Sequence, residues 1–142
     1  MLYLAFVFED ENMKLKIVAV DDDKKVTIFI KKELEKLGHE IFTAGDGDSG
    51  LKLVEKHQPD LLICDMLIPG IHGSELSKQL KSNEEYDSLK IILMTGVYKK
   101  INWLLEKKSW TDGFIEKPFE ISKLISLMDK VMNKKGRRHN GK

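Results

Sequence analysis

The chain has 142 residues, of which 33% are charged and 42% hydrophobic, and its formal net charge is +1. This length predicts one domain that is large enough to bury a core. The near-zero charge excludes a general field that would attract nucleic acid or an anionic membrane. No run approaches the roughly 18 apolar residues of a membrane span. The single cysteine, Cys64, excludes an intrachain disulfide and is expected in a cytoplasmic protein.

The two ends of the chain differ in composition from its middle. Residues 2–8 are all apolar and four polar residues follow them, after which Met13 offers a second possible start. We hypothesise that residues 1–12 are an extension outside the domain, the alternatives being an added edge strand or a docking segment. Residues 134–142 hold five basic residues and no acid, which indicates a solvated tail or a partner-binding tail. The domain itself is predicted over residues 13–133.

Short buried strands alternate with amphipathic helices along the predicted domain. Short strands are predicted at 15–20, 39–43, 61–64, 91–94 and 113–116. Residues 17–20, 61–64 and 91–94 are continuous apolar runs, which are typical of strands buried on both faces. The segments between them carry apolar residues at helical spacing, including a lysine-rich helix predicted at 99–108. Right-handed crossovers then predict a five-stranded parallel sheet with helices on both faces. This is a doubly wound, flavodoxin-like (βα)5 fold of the α/β class.

One stretch, residues 60–70, places an aspartate at the end of the central strand. Asp65 ends the apolar run, and Pro69 and Gly70 then require a loop. Taken alone, Asp65 could be a turn or helix-cap residue as readily as a ligand-binding acid, because aspartate is common in turns and caps. In open α/β sheets, however, ligands bind outside the carboxyl ends of the strands.

Other polar side chains follow the other strands, and parallel strands bring them to the same edge. Asp21 and Asp22 follow the first strand, Thr95 the fourth and Lys117 the fifth. Carboxylates about 5 Å apart repel by roughly 3 kcal/mol per pair at an effective dielectric near 20, so the acids need a cation or raised pKa values. Oxygen ligands favour Mg²⁺. With Mg²⁺, the Thr95 hydroxyl and the Lys117 ammonium beside it, Asp65 is equipped for phosphoryl transfer. There are plainer alternatives: Asp21 and Asp22 could form a solvated turn, Thr95 could cap a strand end, and Lys117 could be an exposed loop lysine.

Four segments carry a resemblance to a known family. They are residues 20–23, 60–73, 92–96 and 113–119. Their order and spacing resemble the receiver domain of two-component response regulators, including the stand-alone receivers of the chemotaxis type. The resemblance covers residues 15–131.

The resemblance implies a phosphoacceptor site with a bound metal. Asp65 would accept a phosphoryl group from the phosphohistidine of a sensor histidine kinase or a phosphotransfer protein. Asp22, Asp65 and the backbone carbonyl of Leu67 would ligate Mg²⁺, with Asp21 helping, partly through water. Lys117 would pair with the phosphoryl group.

The resemblance also implies a switch and an output surface. Thr95 and Phe114 would be the switch pair, although Phe114 also fits plain core. A downstream target would bind the face of the fourth helix, the fifth strand and the fifth helix, in trans, since no second domain is expected after the last helix. Trp103 fits either core or an anchor for a partner or a second copy, so a homodimer is possible. Direct binding to nucleic acid or membrane is not expected.

Two positions depart from the family pattern in a way that predicts kinetics. Leu67 and Val97 lie two residues after Asp65 and Thr95, where family side chains line the path of the hydrolytic water. Both are apolar here. We therefore predict slow autodephosphorylation.

A phosphorylated receiver would catalyse its own phosphorylation and dephosphorylation, but it would not be a multiple-turnover enzyme. Two other functions compete with this one. A haloacid-dehalogenase-like phosphatase also uses an aspartate nucleophile with Thr, Lys and Mg²⁺. There the nucleophile follows the first strand and the acidic pair comes late, which is the reverse of the order here. The second alternative is a receiver-like binding module that is not phosphorylated.

Overall fold

The computed structural model describes residues 14–96 and 110–133. The elements are β1 (Lys16–Val20), α1 (Lys24–Glu35), β2 (Glu40–Ala44), α2 (Gly47–His57), β3 (Leu61–Asp65), α3 (Gly73–Lys81), a 3-10 turn (Glu84–Tyr86), β4 (Lys90–Thr95), β5 (Gly113–Glu116) and α4 (Ile121–Met132). Several sequence predictions lie outside the described residues: the extension 1–12, the helix 99–108 with Trp103, Val97 and the basic tail 134–142. They stay predictions.

The five strands form one parallel sheet in the order β2-β1-β3-β4-β5. The predicted five-stranded doubly wound fold is therefore confirmed. The order reverses where β1 lies beside β3, since the chain first adds β2 on one side and then continues on the other. That reversal opens a crevice at the carboxyl ends of β1 and β3, where open α/β sheets bind ligands.

The helices cover both faces of the sheet because alternate strand residues point to opposite sides. Ile17 and Ala19 of β1 belong to one core, which α1 and α4 complete. Val18 and Val20 belong to the other, which α2 and α3 complete. Cys64 is fully buried in the second core. Within the described ranges, no helix combines the length and the apolar character needed to cross a membrane.

Two strands extend one residue further toward the crevice than their apolar runs suggest. Asp65 is the last residue of β3, opposite Met94, and Thr95 is the last residue of β4, opposite Glu116. The ladder continues because backbone groups pair whatever the side chain. The Lys117 N–H donates to the Thr95 carbonyl at 2.7 Å. Both side chains therefore start from rigid strand positions.

A buried ion pair holds the start of β5 against β4. The Lys81 Nζ lies 2.6 Å from Asp112 Oδ2, and both side chains are almost fully buried. The same carboxylate accepts the backbone N–H of Ile91 at 2.8 Å. These bonds keep β5 in register with β4, and the residue after β5 is Lys117.

Candidate functional site

Three carboxylates converge at the crevice between β1 and β3. Asp21 and Asp22 follow β1 and Asp65 ends β3, and one oxygen of each lies within 4.8 Å of the others. Asp21 is buried, Asp65 is 8% exposed and Asp22 is exposed. The structure thus brings together the three acids that the sequence placed at neighbouring strand ends.

Lys117 follows the edge strand β5, and its side chain reaches this acid cluster. Its Nζ lies 2.8 Å from Asp21 Oδ2 and 3.4 Å from Asp65 Oδ2. Burial alone would lower the pKa of Lys117. The hydrogen bond to Asp21 and the attraction of both carboxylates outweigh that effect, and the net result is a raised pKa. Lys117 is therefore a stable cation that approaches both acids.

Each oxygen of Asp21 has its own donor. Oδ1 accepts the backbone N–H of Asp23 at 2.9 Å, and Oδ2 accepts Lys117. Its own N–H donates to the Ala44 carbonyl at 3.1 Å. Asp23 is also the N-cap of α1, where its side chain accepts the Lys25 N–H. The first acid is consequently held rigidly by the turn that starts the helix.

Asp65 lies in a less favourable environment for a charge. Burial raises its pKa, Lys117 lowers it, and the neighbouring charge of Asp21 raises it again, leaving a net raised pKa. Three carboxylates against one ammonium leave excess negative charge in a small volume. A further cation at this site would relieve that repulsion.

The loop after Asp65 is tied down at both ends. The Met66 N–H donates to the Met94 carbonyl, and the Gly73 N–H donates to the Met66 carbonyl, both at 2.9 Å. Between them Leu67 is 54% exposed beside the crevice, an unusual position for a large apolar side chain. Its backbone is therefore presented on a closed loop next to Asp65.

The predicted switch pair occupies two neighbouring strands. Thr95 is buried at the end of β4, one residue past the partner of Asp65. Phe114 of β5 lies opposite Leu93 of β4. Its partly buried ring packs against the core that α2 and α3 complete. A partly buried ring agrees with both interpretations of Phe114, a switch residue or plain core, so its role stays a prediction.

Comparison with known proteins identifies the family. Residues 17–129 match the response regulator receiver domain. The chain belongs to that family. Among solved structures, it is similar to the Thermotoga maritima response regulator TrrA in complex with Mg²⁺ and BeF, at 32% identity. The match covers 84% of this chain and 99% of that one, with a TM-score of 0.73.

Two further structural neighbours support the same assignment. The chemotaxis response regulator CheY4 of Vibrio cholerae matches at 26% identity over 84% of this receiver and 99% of its own chain, with a TM-score of 0.76. A response regulator receiver domain from Clostridium thermocellum matches at 26% identity over 83% and 94%, with a TM-score of 0.73. The predicted family is confirmed, and neither alternative function is favoured by these matches. Receivers are signalling modules rather than multiple-turnover enzymes.

The acid cluster of this receiver fits the magnesium site that its family implies. The donors are oxygens only, they come from rigid strand ends, and their separation suits direct or water-mediated ligation of one small cation. Burial is the main cause of the raised pKa of Asp65, and the neighbouring charges of Asp21 and Asp22 add to it. Mg²⁺ favours such carboxylate sites and keeps several waters.

A feature that the sequence analysis missed borders Lys117. A shallow depression of about 400 Å³ is lined by Asp23, Lys25, Val26, Phe29, Lys117, Pro118 and Phe119. We call these residues the α1 patch. Phe29 is 37% exposed. The signal was present in the sequence, because Phe29 lies outside the helical stripe that α1 buries, yet is large and apolar.

Proposed function

We propose that this receiver is phosphorylated on Asp65 by a phosphohistidine donor, with Asp65, Thr95 and Lys117 as its catalytic residues. The observation that carries the proposal is the position of the Lys117 ammonium, 2.8 Å from Asp21 and 3.4 Å from Asp65. A cation fixed beside an acceptor carboxylate is what a transferring phosphoryl group requires, because its oxygens carry negative charge.

In the proposed reaction, a carboxylate oxygen of Asp65 attacks phosphorus. The bond from phosphorus to the donor histidine nitrogen breaks, and its electron pair stays on that nitrogen. Lys117 offsets charge on the phosphoryl oxygens, and the Thr95 hydroxyl donates a hydrogen bond to one of them. The receiver returns to its starting state when water hydrolyses the acyl phosphate.

The metal ligands in this proposal are Asp22, Asp65 and the backbone carbonyl of Leu67, with Asp21 acting partly through water. Bound there, Mg²⁺ would supply additional positive charge next to the phosphoryl oxygens. Asp21 is buried and already bonded to Asp23 and Lys117, which supports an indirect role. Asp22 is the exposed member of the cluster and the acid best placed to exchange water for a metal.

Signalling would follow from the added charge at Asp65. Thr95 moves toward the phosphoryl group and vacates space that Phe114 enters, which changes the face formed by the predicted helix 99–108, β5 and α4. A downstream target that prefers this changed face shifts the equilibrium by its differential affinity. The proposal includes a cytoplasmic location and allows a homodimer.

The α1 patch is the surface that we assign to the phosphodonor. It adjoins Lys117, so a protein seated there could bring a phosphohistidine to Asp65. Its lining carries two cations, Lys25 and Lys117, and one acid, Asp23. This combination fits a donor helix with an apolar stripe bordered by acids.

The test is incubation with acetyl phosphate and Mg²⁺, read by intact mass. The wild type should gain the mass of one phosphoryl group, and Asp65→Asn should not. Asp60→Asn, at the other end of β3, is the matched control and should behave as wild type. Repeated hydrolysis of phosphate esters dependent on Asp21 would favour the phosphatase, whereas no adduct and no turnover would favour the unphosphorylated binding module.

A further inference from the structure

The loop that carries Leu67 lies directly on the first turn of α2. The Gly47 N–H donates to the Pro69 carbonyl at 3.0 Å. A Cβ placed on Gly47 would overlap the backbone carbonyl of Ile71. Because the obstructing atoms are backbone, no side-chain rotation can relieve the overlap. Either the loop or the helix would have to move.

A second close approach joins the same two segments from the loop side. Gly70 has a φ of +76°, which L side chains rarely adopt, and a Cβ on it would overlap the carboxylate of Asp48 in α2. Here the obstruction is the end of a flexible side chain. The loop and the helix therefore touch at two glycines, one on each segment.

We propose that Gly47 is a positioning residue for the magnesium site of this receiver. Having no side chain, it lets the loop after Asp65 lie against α2, and this contact determines where the backbone of Leu67 lies. The inference rests on the proposed function, in which the Leu67 carbonyl is a metal ligand. Mg²⁺ demands near-ideal octahedral geometry, so a small displacement of one ligand weakens binding.

The chain provides a matched control for this residue. Gly45 lies two positions earlier in the same connection, and a Cβ there would have nothing within 4 Å. Gly47→Ala and Gly45→Ala thus add the same methyl group, one against the loop backbone and one into open space. Any general effect of replacing a glycine in this connection appears in both variants.

The experiment is calorimetric titration of each folded protein with MgCl₂ alone, with thermal unfolding measured in parallel. Gly47→Ala should raise the Mg²⁺ dissociation constant about tenfold, in the range seen when the support of a metal ligand is disturbed. Gly45→Ala should match the wild type. A folded Gly47→Ala protein with wild-type Mg²⁺ affinity would overturn the inference and leave the proposed function intact. A wild type that does not bind Mg²⁺ would contradict both.

If Gly47→Ala does not fold, Gly70→Ala tests the same contact from the loop side. It should also weaken Mg²⁺ binding, because an L residue is strained at the φ of +76° found there and the loop must shift to relieve that strain. The double variant Asp48→Ala/Gly70→Ala removes the flexible carboxylate but keeps the strain, so its affinity should stay close to that of Gly70→Ala. Unchanged Mg²⁺ affinity in Gly70→Ala would overturn the inference.

Discussion

The Lys117 ammonium donates a 2.8 Å hydrogen bond to Asp21, although 96 residues separate the two in the chain. Asp21 has no exposed side-chain surface, and Lys117 keeps 22% of its own. The bond connects the end of β5 to the end of β1 across two intervening strands. It therefore both stabilises a buried carboxylate and holds the cation beside Asp65.

Replacing Lys117 should destabilise the protein in a magnesium-dependent manner. Lys117→Met leaves Asp21 buried without its ammonium, which we expect to lower the free energy of unfolding by about 1–3 kcal/mol, a value reduced for the partial exposure of Lys117. Added Mg²⁺ should recover part of this loss, because it binds the more negative cluster more tightly. Urea unfolding with and without MgCl₂ measures both effects. Lys123→Met, at an exposed position of α4, is the control. A loss of unfolding free energy in Lys117→Met that is the same with and without MgCl₂ would contradict this prediction.

Phosphotransfer from a protein donor should depend on Phe29. Phe29→Ser removes the exposed ring of the α1 patch, and truncating an interface aromatic commonly costs about 1–2 kcal/mol of binding. We expect the rate of transfer from a phosphorylated histidine kinase to fall about tenfold, with the rate from acetyl phosphate unchanged. Ile28→Ser is the control, since Ile28 is more exposed, at 63%, but does not line the patch. Equal losses with both donors would show that Phe29 acts on the site and not on docking.

The phosphorylated state of the wild type should be long-lived. Leu67 is apolar and 54% exposed beside the crevice, so its side chain offers no hydrogen bond to an attacking water. Leu67→Asn supplies an amide at this position and should shorten the lifetime of the phosphorylated form several-fold. Loss of the phosphoryl group, followed by intact mass in the presence of Mg²⁺, measures this. A wild-type half-life of seconds, or no change in Leu67→Asn, would count against the prediction.

His39 should make stability depend on pH. It is 5% exposed, its Nδ1 accepts the Leu15 N–H at 3.1 Å, and burial lowers its pKa below the usual value near 6.5. The unfolded chain therefore binds the proton more readily, so the free energy of unfolding rises with pH up to about 6.5 and falls as pH drops below it. His39→Gln keeps an acceptor without titrating at this pH. Its stability relative to wild type should improve between about pH 7.5 and about pH 5.5; urea unfolding that shows a constant difference would exclude this role.

Much of the fold was predictable because its pattern is local. Apolar runs at 61–64 and 91–94, bounded by polar and turn residues, mark buried strands whatever surrounds them. The acids after β1 and β3, the Thr95 that ends β4 and the lysine after β5 could be assigned to one edge, because parallel strands align their carboxyl ends.

Contacts between distant segments were beyond the sequence. Nothing in the spacing of Gly47 indicated that the loop after Asp65 lies on it, since an approach of two backbones leaves no residue pattern. The choice of Asp21 as the closer partner of Lys117 depended on side-chain reach across the sheet.

By itself, the sequence determined the α/β class, the receiver family and which three carboxylates and which lysine meet at the crevice, because these follow from local periodicity, strand direction and the family motifs. Only the tertiary structure decided which carboxylate is buried, where the ammonium lies between Asp21 and Asp65, and which glycine lies against the loop after Asp65. Those outcomes depend on separations of a few ångströms between segments far apart in the chain, and such distances arise only when the whole sheet and its helices pack together.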